Sequence, residues 1–313
     1  MRIVLALGGN ALLKRGEPLT EANQRANVRR AVEALAPLCS DSNEVFITHG
    51  NGPQVGLLAL QSASGPAGSQ QPLDVLSAET EGMLGYLIEQ ELRNTLPSQK
   101  EVASVLSQIV VDPKDPAFDD PTKPIGPIYA KDEARRLVSE RDWSIVKDGA
   151  SWRRAVSSPR PLEILGLGVL SLLASRGVIV ICVGGGGIPV ARADDGRLHG
   201  VEAVIDKDHA SALLAREVNA DCLLLLTDVD SVYLGWRTAI AQSVASAGPN
   251  DLDPTEFEPG SMRPKIEAAL EFVRRTGKRA AIGRLEDAGA LLKGTAGTSF
   301  QSSQAGLRMR DPS

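Results

Sequence analysis

The chain has 313 residues, of which 42% are hydrophobic, and a formal net charge of −5. That length admits two domains or one large α/β domain with an insertion, and the apolar share suffices for a sizeable buried core. The mild acidity and the absence of a long basic run argue against a nucleic-acid partner, and no apolar run is long enough for a membrane span. The apolar start from Arg2 to Leu7 is broken by Gly8-Gly9-Asn10, too early for a secretion signal. The expectation is a cytoplasmic protein. Cys39, Cys182 and Cys222 are widely spaced, with no CxxC pair, and His49, His199 and His209 show no ligand spacing. The cysteines read as small buried hydrophobes in a reducing compartment, and no structural zinc site is expected.

In chain order, Arg2 to Leu7 reads as a buried strand. Thr20 is an N-cap for a helix to about Leu38, with Val28, Val32 and Leu35 at helical spacing. Val45 to Thr48 is a second buried strand, and a helix begins in Gly52 to Gln61. Ser62 to Pro72 is small and polar and reads as a mobile surface loop. Asp74 caps a long helix to about Thr95, and Val102 to Val111 is a single alternating strand. From Asp112 to about Pro161 the α/β alternation lapses. Prolines recur, Trp143 and Trp152 appear, and a helical piece spans Lys131 to Glu140, so this stretch reads as an inserted subdomain. A helix from Pro161 to Arg176, a strand from Val178 to Val183, four glycines and a hairpin-like stretch follow. Next come a helix from about Asp206 to Val218, a strand from Leu223 to Thr227, and a helix begun by Pro264 at its first position. Ala280 to Gly283 is the last strand and Leu285 to Lys293 the last helix.

Apolar strands end in glycine-rich or polar turns at Gly8-Gly9-Asn10, at His49-Gly50-Asn51-Gly52, at Gly184 to Gly187 and at Asp228. Glycine lets backbone N–H groups approach a ligand, and a helix starting beyond adds its positive end. Several such turns at one sheet edge point to a polyanion, a nucleotide with a phosphorylated partner. The P-loop, dinucleotide and protein-kinase signatures are all absent. Isolated lysines must then carry the charge. Lys123 is flanked by Pro121 and Pro124 in what reads as an exposed loop; Lys207, between Asp206 and Asp208, and Lys265, after Pro264, stand at helix starts. A cation there opposes the helix dipole, which suggests function more than stability. Each lysine alone is compatible with ordinary solvated surface, and Asp206 and Asp208 could simply cap a helix. His49 could act as a base, although a hydrogen-bonded turn histidine is the more ordinary role.

Ala6-Leu-Gly-Gly-Asn-Ala11, Thr48-His-Gly-Asn-Gly-Pro-Gln-Val-Gly56, Gln108-Ile-Val-Val-Asp-Pro113 and Pro121-Thr-Lys-Pro-Ile-Gly-Pro127 resemble the carbamate kinases of the amino acid kinase superfamily. So do Gly184-Gly-Gly-Gly-Ile-Pro189, Gly200-Val-Glu-Ala-Val-Ile-Asp-Lys-Asp208 and Pro259-Gly-Ser-Met-Arg-Pro-Lys-Ile-Glu-Ala268; together these blocks cover nearly the whole chain in order. The resemblance implies a three-layer αβα sandwich around a mostly parallel sheet, one domain over residues 1–313, with residues 113–160 inserted as a small protruding subdomain. It implies reversible phosphoryl transfer between ATP and carbamate, giving ADP and carbamoyl phosphate, run toward ATP in arginine catabolism. It also implies Mg²⁺ carried by the nucleotide, with no metal site of the protein's own, and a homodimer.

By family position, Lys207 and Lys265 flank the transferred group, Lys123 reaches in from the subdomain and Asp206 orients the lysines. Gly8, Gly9, Asn10, Gly50, Asn51 and Gly52 hold carbamate or phosphoryl oxygens, while Gly185, Gly186, Thr227, Asp228, Tyr233 and Met262 lie along the nucleotide. The chain departs from the family pattern in carrying Ser107 in place of threonine, Asp228 where glycine also occurs, and an altered Gly149-Ala-Ser-Trp-Arg segment. Carbamate is already an anionic oxygen nucleophile and needs no general base, so positioning and charge stabilisation carry the reaction. The alternatives are a sibling kinase acting on another small carboxylate or on UMP, and a non-catalytic nucleotide or anion sensor. The proline-rich joints of residues 113–160 suggest a subdomain that swings closed over substrate.

Overall fold

A computed structural model describes residues 1–13, 16–40, 42–66, 69–141, 143–149, 151–238, 240–304 and 306–310, with the Asn10 side chain outside the description. Among the described residues a ten-stranded sheet forms the middle layer. Its parallel heart runs, in spatial order, Val102–Ser104, Ile179–Ile181, Glu44–His49, Arg2–Leu7, Cys222–Thr227 and Arg279–Arg284. Thr298–Phe300 pairs antiparallel with Arg279–Arg284. Gln242–Ala247 then pairs parallel with Thr298–Phe300 and antiparallel with Val232–Leu234 and Arg308–Met309.

The strand Arg2–Leu7 shows why its run is continuously apolar. Ile3, Leu5 and Leu7 enter one core with Val28, Leu35, Leu84 and Ile88. Val4 and Ala6 enter the other with Leu170, Leu213, Ile266 and Phe272. Successive side chains of a strand point to opposite faces, and both faces here are covered by helices. Glu21–Ser40, Leu73–Thr95 and Ala288–Lys293 lie on one side; Leu167–Ser175, Lys207–Glu217 and Met262–Thr276 lie on the other. The outcome is the three-layer α/β/α arrangement around a mostly parallel sheet.

Thr20 caps its helix as the sequence suggested, its hydroxyl accepting the Asn23 N–H at 3.3 Å. Asp74 does not cap the Leu73–Thr95 helix: Pro72 holds that position, and the Leu73 N–H is instead donated to Glu202 at 3.0 Å. The stretch from Val102 to Val111 is two strands, Val102–Ser104 in the main sheet and Gln108–Val111 in a second, four-stranded sheet. That second sheet includes Pro161–Ile164, so the expected helix from Pro161 is shorter, Leu167–Ser175, and starts behind Gly166 at φ 75°. Pro264 is the third residue of the Met262–Thr276 helix, not the first, still within the turn where a missing N–H costs nothing. Leu285–Asp287 is a 3₁₀ turn leading into the short helix Ala288–Lys293. Between Ser62 and Leu73 no helix or strand is formed among the described residues. No helix among the described residues is long and apolar enough to cross a membrane.

Within residues 113–160, Lys123–Tyr129, Ser151–Val156 and Ser144–Asp148 form a three-stranded antiparallel sheet. The helix Lys131–Arg141 closes a small core of Tyr129, Ala134 and Leu137 against Trp143, Ile145 and Trp152. The expected exposed loop at Lys123 is instead the first residue of a strand, because Lys123 to Ile125 pairs with Arg154 to Val156 before the register shifts between Ile125 and Tyr129. That strand meets the helix Gly52–Ser62 backbone to backbone: a Cβ on Gly56 would sit 1.9 Å from the Gly126 nitrogen. Gly126 adopts φ 74°, so glycine is required there by conformation as well as by space.

Candidate active site

The chemistry-bearing residues gather at the carboxyl edge of the parallel strands. Leu7 aligns with His49 on one neighbour and Leu226 on the other, so the Gly8, Gly50 and Asp228 exits share one rim. The turns pack on one another: a Cβ on Gly8 would be 2.9 Å from the Leu226 carbonyl oxygen, and one on Gly50 would be 3.1 Å from the Gly9 nitrogen. Not every glycine amide faces outward. Gly8 donates its N–H to the Leu226 carbonyl at 2.9 Å, and Gly50 donates to the Leu7 carbonyl at 3.1 Å. Those two glycines act by permitting close approach. Gly9 and Gly52 open the helices Gly9–Leu12 and Gly52–Ser62, where first-turn N–H groups have no partner within the helix. The Asn51 side chain is committed to structure, its amide donating to the Thr80 hydroxyl at 2.8 Å. The Asn10 side chain lies outside the described residues.

On this rim stand three lysines and two aspartates. Asp206 caps the helix Lys207–Glu217, accepting the N–H of Asp208 at 2.9 Å and of His209 at 3.4 Å on one oxygen. Its other oxygen accepts from the Lys123 ammonium at 2.8 Å. Asp208 holds the remaining pair: Lys207 Nζ lies 2.9 Å from one carboxylate oxygen and Lys265 Nζ 3.2 Å from the other. Lys207 also donates to the Ala6 carbonyl at 3.2 Å, and Lys265 to the Ser261 carbonyl at 3.2 Å. The family resemblance implied that Asp206 orients the lysines. The structure divides that work, because Asp206 faces the strand of Lys123 while Asp208, one turn-step on, faces Lys207 and Lys265.

Burial opposes the charges of Asp206, Lys207, Asp208 and Lys265. It is the largest influence on Lys207 and pulls that ammonium below its usual value despite Asp208. Burial also acts most strongly on Lys265, but Asp208 and Asp206 together outweigh it and raise the ammonium. Both aspartates are held below the ordinary carboxylate range: burial works against ionisation, and the lysines, Lys123 for Asp206 and Lys207 with Lys265 for Asp208, overcome it. Three ammoniums gathered beside amide-bearing turns at one sheet edge suit a multiply charged phosphate.

His49 is fully buried. Its Nδ1 lies 3.2 Å from the Gly50 carbonyl, which fixes the proton on that nitrogen. Its Nε2 finds no hydrogen-bond partner among the described residues, and burial lowers the ring to about 4. It is a neutral turn histidine.

Of the residues expected along the nucleotide, Thr227 leaves the central strand and donates to the Asp228 carboxylate at 3.1 Å. Asp228 is near enough to Lys265 to raise its affinity for a proton, and Met262 begins the helix that carries Lys265. Tyr233 stands on the edge strand Val232–Leu234, its hydroxyl donating to Asp230 at 3.1 Å and its ring 5.1 Å from that of Trp236. Gly185 and Gly186 lie in a buried turn beneath the rim. A Cβ on Gly185 would strike the Asn51 amide at 2.1 Å, and one on Gly186 the Ile205 carbonyl at 2.5 Å. Their lack of side chains is explained by packing. Glu81 and Thr80 also shape the site and carried no obvious motif, while Gly126 stands inside the Pro121–Pro127 block. Glu81 alone left a hint, as a carboxylate on the buried helical stripe of Ser77, Leu84 and Ile88.

The sequence model of the Amino acid kinase family matches residues 1–284. A carbamate kinase of Haemophilus influenzae is 50% identical over 307 residues, covering 98% of this chain and 99% of its own length. Carbamate kinase from Giardia lamblia bound to citric acid superposes with a TM-score of 0.87 at 38% identity, over 96% of this chain and 98% of that one. The same enzyme bound to AMP-PNP gives a TM-score of 0.83 at 37% identity, over 96% and 98% of the two chains. The chain belongs to the amino acid kinase family and, within it, to the carbamate kinases.

Proposed function

We infer that this chain transfers a phosphoryl group reversibly between ATP and carbamate, and that Lys123, Lys207 and Lys265, gathered on Asp206 and Asp208, are its charge-bearing machinery. The observation that carries the reading is the shared carboxylate: one Asp208 holds two ammoniums from two different helix starts at one sheet edge. In the ATP-forming direction an oxygen of the ADP β-phosphate attacks the phosphorus of carbamoyl phosphate, and the bond from phosphorus to the carbamate oxygen breaks. Carbamate leaves as an anion, so no proton need move. Lys207 and Lys265 face the moving group from one side. The amides at the starts of Gly9–Leu12 and Gly52–Ser62 face it from the other. Lys123 belongs to an inserted subdomain over residues 113–160 and reaches the cluster from above it. Thr227, Asp228, Tyr233 and Met262 continue the rim as the nucleotide side. No group of three or more histidine, cysteine, aspartate or glutamate side chains among the described residues is arranged to hold a metal. Mg²⁺ fits as an ion ligated mainly by nucleotide phosphates, where it would neutralise phosphate charge.

The buried thiols suit a reducing cytoplasm. A homodimer is supported by an apolar face: Leu162, Val169 and Leu172, on and next to the helix Leu167–Ser175, are 55, 57 and 56% exposed. Sedimentation should give twice the mass of the chain, and Val169→Asp with Leu172→Asp should give a monomer. The decisive functional test is coupled detection of ATP from ADP, carbamoyl phosphate and Mg²⁺, beside a panel of acetylglutamate and UMP with ATP. Rapid ATP formation with no turnover of the panel is expected. Turnover of a panel member, or ADP binding with no transfer, would replace the reading.

A further inference from the structure

The helix Leu73–Thr95 buries two glutamates, Glu81 and Glu91, and the first of them lies beneath the rim. Glu81 is 3% exposed, and its two oxygens accept the backbone N–H of Gly184 at 2.9 Å and of Ser107 at 3.2 Å. The Ser107 hydroxyl in turn accepts the Val183 N–H at 2.9 Å and donates to the Val105 carbonyl at 3.2 Å. Burying a carboxyl is unfavourable unless its oxygens are satisfied. Here that satisfaction ties together the bend between the two sheets and the glycine turn. The turn is closed by the Gly186 N–H donating to the Val183 carbonyl at 3.2 Å and the Gly187 N–H to the Gly184 carbonyl at 3.0 Å, but Val183 sits at φ 54°, a costly conformation for a β-branched residue that persists only where its surroundings impose it.

What the turn touches gives Glu81 its importance. Gly185 lies against Asn51, which precedes the helix Gly52–Ser62 and is bonded to Thr80, the neighbour of Glu81. Gly186 lies against the carbonyl of Ile205, the residue before Asp206-Lys207-Asp208. Gly184 leaves the space between His49 Nε2 and the Glu81 side chain. The turn is thus wedged between the two segments that face the acceptor, the Asn51-Gly52 amides and the Lys207 ammonium. We propose that Glu81 is a positioning residue for phosphoryl transfer, fixing through the glycine turn the gap between the Asn51–Gly52 amides and Lys207. It touches no substrate. The proposal rests on the carbamate kinase reading and concerns only the acceptor half of the site.

Glu81→Ala removes both acceptors, Glu81→Gln keeps one, and Ser107→Ala removes the bond to Val183 while leaving Glu81 in place. Two measurements decide. By deuterium exchange of the unliganded protein, residues 183–187 and 205–208 should exchange at least tenfold faster in Glu81→Ala, with Glu81→Gln and Ser107→Ala intermediate. Residues 262–276 should stay within twofold of the parent. By steady-state kinetics, kcat should fall at least tenfold and KM for carbamoyl phosphate should rise, while KM for ADP stays within threefold. If Glu81→Ala is insoluble, the two milder variants carry the same readouts. Unchanged exchange at 183–187, or equal losses toward both substrates, overturns the proposal. The exchange result needs no turnover, so its failure is distinct from a failure of the activity assay.

Discussion

Asp208 is 3% exposed yet balances two ammoniums, and this makes it as consequential as the lysines it holds. A positioned cationic donor aimed at a transferring phosphoryl group is worth about 3–4 kcal/mol. Lys207→Ala and Lys265→Ala should each lower kcat about a hundredfold or more by that magnitude, read in the ATP-forming assay on protein whose circular dichroism is unchanged. Asp208→Asn keeps the shape and removes the charge. Burial, already the largest influence on both lysines, then goes less opposed. Their pKa values fall, the ammoniums lose their protons at lower pH, and the alkaline limb of the kcat profile should move toward acid. An unmoved alkaline limb would separate Asp208 from the charge state of the lysines. Breaking a buried pair costs about 3–5 kcal/mol of stability, so the profile is to be taken well below the melting temperature.

At the scale of elements, the helix Gly52–Ser62 and the strand Lys123–Tyr129 touch through two facing glycines, and Lys123 opens that same strand. Gly56→Ala would place a methyl 1.9 Å from the Gly126 nitrogen, so one backbone must move. Overpacking of this kind costs about 1–3 kcal/mol, and the shift would also withdraw Lys123 from Asp206. Lower thermal stability together with a raised KM for carbamoyl phosphate is expected. A loss of stability with unchanged kinetics would show that the contact does not place Lys123. Such contacts explain what the sequence could reveal. The parallel strands were legible because their apolar runs are buried on both faces, and Lys207 and Lys265 because cations at helix starts conflict with the dipole; Lys123 stood out through its flanking prolines. Gln108–Val111 was read as one strand with Val102–Ser104, because nothing in the alternation marks where the chain passes to the second sheet, and Pro161–Ile164, with Leu162 and Glu163 exposed, was read as the start of a helix. Val232–Leu234 and Thr298–Phe300 are too short for any periodicity to show. The division of lysines between Asp206 and Asp208 depends on which way each side chain leaves a helix cap, and spacing alone does not encode that.

At the scale of the whole molecule, two buried titratable groups near the same turn bend the pH dependence of stability in opposite directions. His49 is lowered by burial from 6.5 to about 4. The folded chain therefore binds fewer protons than the unfolded one between those values, and stability from this group is lost as pH falls from 6.5 toward 4. Glu81 is raised by burial from 4.5 to about 8, against the pull of the Gly184 and Ser107 amides. The folded chain then binds more protons than the unfolded one, and stability from this group is lost as pH rises from 4.5 through 8. The two influences oppose each other between 4.5 and 6.5, and Glu81 acts without His49 from 6.5 to 8. Glu81→Gln cannot ionise, so the difference in melting temperature between it and the parent isolates this carboxyl from the lysine cluster. With ionic strength held constant, the parent should lose ground to Glu81→Gln steadily from pH 6.5 to 8, and the difference should level off above pH 8. A difference that does not change across that range would mean that Glu81 keeps the same charge in the folded and unfolded chains.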